Sequence, residues 1–168
     1  MPVTWSVGTG EASGLAAGAY DLAAFGSSFN VTDRARTLVE VARILKPGGW
    51  FCCMWNHRDL ADANQARCQE IIQRMVPGFS HGSRREDQSG VIRESGLYEE
   101  PVVLEGRVVH TVSRVDFIEA WRSHATLERQ AGALFPDVIR ALDEGIGGAA
   151  ELAVPYSTRV FCARLRAA

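Results

Sequence analysis

At 168 residues, with 46% apolar and 23% charged side chains and a net charge of −2, the chain has the size and balance of one soluble globular domain. That balance excludes the strongly basic surface of a nucleic-acid or anionic-membrane binder. No apolar run approaches the ~18 residues of a membrane span, and no basic segment followed by an apolar stretch opens the sequence, so neither membrane nor secretory leader is expected and the compartment is read as the cytoplasm.

In chain order, residues 2–7, around "TWSV", read as a short strand, and "GTGEASGLAAGA" as a glycine-rich loop. "YDLAAFG" (20–26) reads as a strand leading into "SSFN". Leu38, Val41, Ala42 and Leu45 recur at helical spacing, which predicts a helix over 32–46 with Thr32 as N-cap and "KPGG" as its stop. "WFCCMW" (50–55) reads as a strand buried on both faces. A helix over 60–76 and a short one over 86–95 flank the loop "PGFSHGSRRED". Residues 101–112 read as a strand, 114–124 and 126–146 as helices with a fresh start at Pro136, and 154–165 as the last strand. Strands alternating with helices predict an α/β domain with a mostly parallel sheet. The four cysteines, Cys52, Cys53, Cys68 and Cys162, form no CxxC pair and no Cys/His ligand spacing; they read as small buried apolar residues in a reducing compartment, and no metal is expected.

Gly8, Gly10 and Gly14 resemble a dinucleotide fingerprint only in outline. The third glycine is one place late, and only five residues separate it from the next strand at Tyr20. No helix fits there, so no helix N-terminus can receive a phosphate. This stretch reads as a strand followed by a glycine-rich turn.

The order of the pieces is more informative. "GTGEA", then "YD" with Asp21 opening a strand, then "ARILKPGG" with Arg43, Leu45, Lys46, Pro47, Gly48 and Gly49 leading into an apolar strand, resembles the class I S-adenosylmethionine-dependent methyltransferases. "WNHRDL", "HGSRREDQ" and "EAWRSHATLERQAG" resemble their small-molecule branch. The resemblance implies a Rossmann-like α/β fold, truncated at its N-terminus, with a short, mostly parallel sheet and an antiparallel last strand. It makes residues 1–168 a single domain with a helical lid inserted at 113–152. The family's first two strands, its Gly-rich first loop and the acid after its second strand have no counterpart here. Glu11 and Ala12 would then sit by the adenine if S-adenosylmethionine binds at all. The expected cofactor is accordingly none, with S-adenosylmethionine as the alternative.

In open α/β sheets ligands bind outside the carboxyl ends of the strands. Residues expected there are Ser27, Ser28 and Asn30 after the first of these strands, and Trp55, Asn56, His57, Arg58 and Asp59 after the second. His110 follows from the third, and Tyr156 from the start of the last. The lid adds Trp121, Arg122 and His124, and the preceding loop His81, Arg84 and Arg85. His57, Tyr156 and His124 are the catalytic candidates, with Tyr156 facing His57 across the pocket and Asp59 orienting the His57 ring; Ser27, Ser28, Asn30, Trp55, Asn56, Arg58, His81, His110, Trp121 and Arg122 are the substrate contacts. Each has a plainer role open to it: a capping imidazole at His57, lid packing at His124, an exposed strand position at His110, a loose loop at His81, a solvated charge cluster at Arg84–Arg85, pocket walls at Trp55 and Trp121. No nucleophile elbow is present and the expected mouth holds one acid, Asp59, which leaves histidine or tyrosine for proton transfer. Three readings follow: an enzyme on a small, natural-product-like molecule repurposed to acid/base chemistry such as cyclisation, dehydration or isomerisation; a methyltransferase completed by a dimer partner or second subunit; and a non-catalytic companion of a full-length methyltransferase. The apolar edge "YDLAAF" carries no Lys or Pro guard, so either residues 2–7 cover it or a second copy does, and a homodimer is expected.

Overall fold

The computed structural model describes residues 3–167. It contains four strands, β1 (Tyr20–Gly26), β2 (Leu45–Arg58), β3 (Val102–Ser113) and β4 (Glu151–Arg164), and six helices among the described residues, α1 (Arg34–Ile44), α2 (Ala63–Met75), α3 (Ser89–Glu94), α4 (Arg114–Arg122), α5 (Ala125–Ala131) and α6 (Phe135–Gly145). The strands form one sheet in the order β1-β2-β4-β3. β1 runs parallel to β2. β4 runs antiparallel to β2, since Leu165 N–H donates to Gly49 O and Asp59 N–H to Pro155 O. It is antiparallel to β3 as well, with Arg159 on Glu105 and Arg114 N–H on Ala150 O. The sheet is therefore parallel apart from its last strand, the α/β architecture expected from the sequence. No helix among the described residues is long and apolar enough to cross a membrane.

The chain divides into two compact units. The first comprises the residues up to Asn56, Gly82–Gly106 and those from Thr158. Its core joins Leu38 and Val41 of α1 to Phe51, Cys53 and Trp55 of β2, with Phe29, Ile92, Tyr98 and Phe161. Phe29, Phe51 and Tyr98 meet edge-on or tilted at 5.1–5.8 Å, the offset geometry that aromatic quadrupoles favour. Tyr98 Oη donates to Leu38 O at 2.8 Å, so the one buried phenol is satisfied. The second unit, His57–His81 with Arg107–Ser157, packs one face of α2 (Cys68, Ile71, Ile72) against Phe117, Trp121, Leu127, Val138 and Leu142.

Several local expectations are corrected. Residues 3–7 are not a strand; Val3, Trp5 and Val7 are exposed and no described residue pairs with them in a ladder, and a strand exists only with a ladder partner. Residue 2 of that segment lies outside the described residues. The N-cap of α1 is Asp33, whose carboxylate accepts Arg36 N–H at 3.1 Å; Thr32 instead donates to Phe29 O and closes the short turn Phe29–Val31. "KPGG" is an irregularity inside β2 rather than a loop before it: Tyr20 pairs with Leu45 but Leu22 with Trp50, and Gly48 takes φ +74°. β2 alternates rather than being buried on both faces, with Phe51, Cys53 and Trp55 inward and Trp50, Cys52 and Met54 half-open. The long helix predicted over 126–146 breaks at Gly132 (φ +52°), four residues before Pro136. Cys53 and Cys68 are buried, whereas Cys52 and Cys162 are only half-buried.

Candidate functional site

In the first unit, β1 and β2 end side by side. Ser27 N–H donates to Met54 O at 2.9 Å. Ser27 takes φ +53°, a left-handed conformation that non-glycine residues hold only under constraint, at a cost of roughly 1–3 kcal/mol. This turn sends the chain into the Phe29–Val31 turn, where Asn30 Oδ1 accepts the Trp55 indole N–H at 2.9 Å. Beside them Asn56 Oδ1 accepts Thr158 Oγ1 at 2.7 Å, and Asn56 O accepts Arg84 at 3.4 Å. Ser27, Ser28, Asn30, Trp55 and Asn56 are thus brought to the same strand ends. Arg84 is not a freely solvated charge; burial lowers its pKa.

A second feature of this unit is a groove of about 330 Å³ along β1, lined by Ser13, Leu15, Leu22, Phe25, Glu40 and Val41 among others. Glu40 accepts Ser13 N–H at 2.9 Å and Ser13 Oγ at 2.5 Å, and pairs with Arg43 at 2.7 Å. The Arg43 and Ser13 hydrogen bonds hold its pKa down to about 2, against an ordinary 4.5. A depressed carboxylate pKa stabilises the fold above the ordinary value and loses that contribution as pH falls through the lowered one. Glu40→Gln is therefore expected to widen the urea-midpoint gap to wild type near neutrality, and the gap should close between pH 4.5 and about 2. A gap of constant size across that window would show that Glu40 stabilises the fold in some other way.

Glu11 and Ala12 bear on the cofactor the resemblance implies. Glu11 Oε1 accepts Asp33 N–H at 2.7 Å, which with its own N–H lowers its pKa. Ala12 N–H points to Thr9, at 3.1 Å from Oγ1 and 3.3 Å from O. The carboxylate is tied to the start of α1 and the amide closes a four-residue turn. These groups do not fit an adenine edge as they stand.

The second unit holds a continuous run of polar and aromatic side chains. His81 packs edge-on to Phe79 at 5.0 Å, and its Nε2 lies 3.3 Å from Gln69 Oε1. His81 is 6.4 Å from His124, which stacks on Trp121 at 5.6 Å. The Arg58 guanidinium lies 3.9 Å over the Trp121 ring and 5.1 Å from Phe117. Tyr156 lies beside Arg58, opposite it in the β2–β4 ladder, and its ring meets His110 at 5.7 Å. Burial lowers the Arg58 pKa, with Tyr156 opposing that shift. The run fixes protons as well as rings. His124 Nδ1 accepts Leu127 N–H at 3.1 Å as the N-cap of α5, so the neutral ring carries its proton on Nε2.

Four expected contacts (Arg58, His81, Trp121, His110) and two catalytic candidates (His124, Tyr156) therefore meet in this unit. Arg122 does not join them; one residue beyond Trp121 on α4 it faces away, pairs with Glu119 and lines a different groove with Phe135 and Ile139. His57 lies one residue before Arg58, and alternation along β2 turns it to the opposite strand face from Arg58 and Tyr156. The expected pairing of His57 with Tyr156 across one pocket does not hold. Asp59 is turned into its own loop, accepting Ala61 N–H at 3.0 Å. Sequence reading missed Gln65 and Gln69, one turn apart on α2. Gln65 is 1% exposed, and neither atom of its amide has a hydrogen-bond partner. The signal was there: Gln65 falls on the stripe of Cys68 and Ile72.

Residues 1–53 match the family model of the methyltransferase domain. No curated protein matches the chain in sequence. Among solved structures it is similar to a protein from Anaeromyxobacter dehalogenans assigned as a type II methyltransferase, with TM-score 0.67 and 18% identity over 98% of this chain and 73% of that one. It is also similar to a protein of Bacillus halodurans assigned as a methyltransferase, with TM-score 0.50 and 12% identity over 95% of this chain and 70% of that one. A third likeness is to the YcgJ protein of Bacillus subtilis, with TM-score 0.50 and 12% identity over 96% and 70%. The match over the N-terminal third and the likeness over nearly the whole chain show a methyltransferase-like, Rossmann-like α/β fold.

Proposed function

We propose that this methyltransferase-fold chain is an enzyme acting on a small molecule by proton transfer, without drawing on S-adenosylmethionine. The observation that carries the reading is the contrast between two sets of polar groups. Glu11 and Ala12, the positions left for an adenine, are bonded to Asp33 and Thr9. The His124 ring has a fixed proton position, and Tyr156 and His124 both border the Arg58–Trp121 stack. In this reading Tyr156 and His124 exchange protons with the substrate, and Arg58 steadies negative charge that develops on it. Cyclisation, dehydration and isomerisation are all within reach of such a set. Calorimetric titration with S-adenosylmethionine and S-adenosylhomocysteine tests it: no binding is expected, and micromolar binding to the isolated chain would overturn it. The family match over residues 1–53 favours one other reading, a methyltransferase whose cofactor site a second subunit completes. That reading expects binding to appear only when the second protein is added.

The same proposal includes a homodimer. β1 is an edge strand with Leu22 55% exposed, and Val3, Trp5 and Val7 alternate with Thr4 and Ser6 in a strand pattern that has no ladder partner among the described residues. One chain thus offers both an unpaired edge and an unpaired strand-like arm, and two copies satisfy both reciprocally around a two-fold axis. Light scattering after gel filtration is expected to give a dimer for wild type and a monomer for Leu22→Lys and for Trp5→Ser. A monomeric wild type at micromolar concentration removes the dimer from the proposal.

A further inference from the structure

Cys52 of β2 and Cys162 of β4 lie with their sulfurs 2.7 Å apart although 110 positions separate them in sequence. Their placement follows from the ladder. The bonds Leu165 N–H to Gly49 O and Asp59 N–H to Pro155 O fix the register, and successive opposite pairs alternate between bonded and non-bonded. Cys52 and Cys162 fall on a non-hydrogen-bonded pair, where Cα atoms approach to roughly 4.5 Å and side chains lie closest. That spacing falls within the ~4.4–6.8 Å over which a disulfide closes without moving the backbone. Both residues are half-buried, on the face of β2 that also leaves Trp50 and Met54 partly open. Cys53, one residue on, points into the core and is fully buried.

We propose that Cys52 and Cys162 form a reversible oxidation site, closing to a cross-strand disulfide when a peroxide reaches that face. One thiolate attacks the peroxide, whose O–O bond breaks; the sulfur becomes a sulfenic acid and water leaves. The second thiol attacks that sulfur, an S–S bond forms and a second water leaves. Two thiols are oxidised, one peroxide is reduced to two waters, and the balance closes without another reactant. A dithiol reductant reverses it by thiol exchange. Burial, with Cys162 alongside, raises the Cys52 thiol to about 12, so the thiolate is scarce at neutrality and closure accelerates as pH rises. The bond would pin β2 to β4 across a closed loop of 110 positions and raise the melting temperature of the oxidised chain.

The experiment exposes the full chain to hydrogen peroxide, alkylates it in denaturant and measures the intact mass. Of the four cysteines, two are expected to become unreactive, with a mass loss of two hydrogens and a tryptic link between the Cys52 and Cys162 peptides. Dithiothreitol should restore all four. Cys52→Ser, checked for folding by circular dichroism, should form no internal link. Four alkylated thiols after oxidation, oxygen adducts without the link, or a link only between chains would each overturn the proposal, and the wild-type mass decides it even if the variant misfolds.

Discussion

Replacing Trp121 with alanine is expected to destabilise the protein by ~3–5 kcal/mol, the range for truncating a large aromatic side chain in a packed core. Trp121 is 4% exposed and sits in the core of the second unit with Phe117, Leu127 and Leu142. It carries two further loads. Its ring supports the Arg58 guanidinium at 3.9 Å and stacks with His124 at 5.6 Å. A desolvated cation over an aromatic face is worth ~2 kcal/mol. Trp121→Phe separates these contributions, because the indole N–H is buried without an acceptor and its removal breaks no hydrogen bond. Phenylalanine keeps a ring under Arg58, so it should lose well under half of what alanine loses. Urea unfolding of the three proteins measures both effects, and an alanine variant within ~1 kcal/mol of wild type would show that this ring is not structural.

The sheet was legible because its strands announce themselves locally. "YDLAAFG" and "WFCCMW" are apolar runs bounded by glycine or polar residues, and both became adjacent parallel strands. The antiparallel last strand was not readable from residues 154–165 alone; it came with the order of the motifs. Residues 3–7 were misread because an alternating pattern records what a strand would bury, not whether a partner exists. Asp33 displaced Thr32 as the cap for a similar reason. Both suit the position, and the choice turned on Thr32 finding Phe29 O. At the candidate site, the residue types were visible and the faces were not. His57 and Arg58 are neighbours in sequence, and the two-residue period of a strand sends them to opposite sides. The Cys52–Cys162 contact needed the β2–β4 register, which no reading of four scattered cysteines supplies.

Tyr156→Phe is expected to lower kcat by ~10²–10⁴ on whichever small molecule the enzyme turns over, the range for loss of a positioned acid or base. The substitution removes one oxygen and leaves the ring against His110, so packing is nearly conserved. It removes the hydroxyl beside Arg58 and with it the proton donor of the proposed reaction. Because the lost interaction belongs to the reacting state, kcat should fall with little change in KM. His124→Gln should also reduce kcat, and it alone should cost stability too, since His124 Nδ1 caps α5 through Leu127 N–H. His57→Gln is the contrast. On the other face of β2 from Tyr156, it should stay within about threefold of wild type, far from an acid/base loss. If His57→Gln abolishes turnover while Tyr156→Phe leaves it intact, the chemistry lies on the opposite face of the sheet, and the Arg58–Trp121 stack is structural.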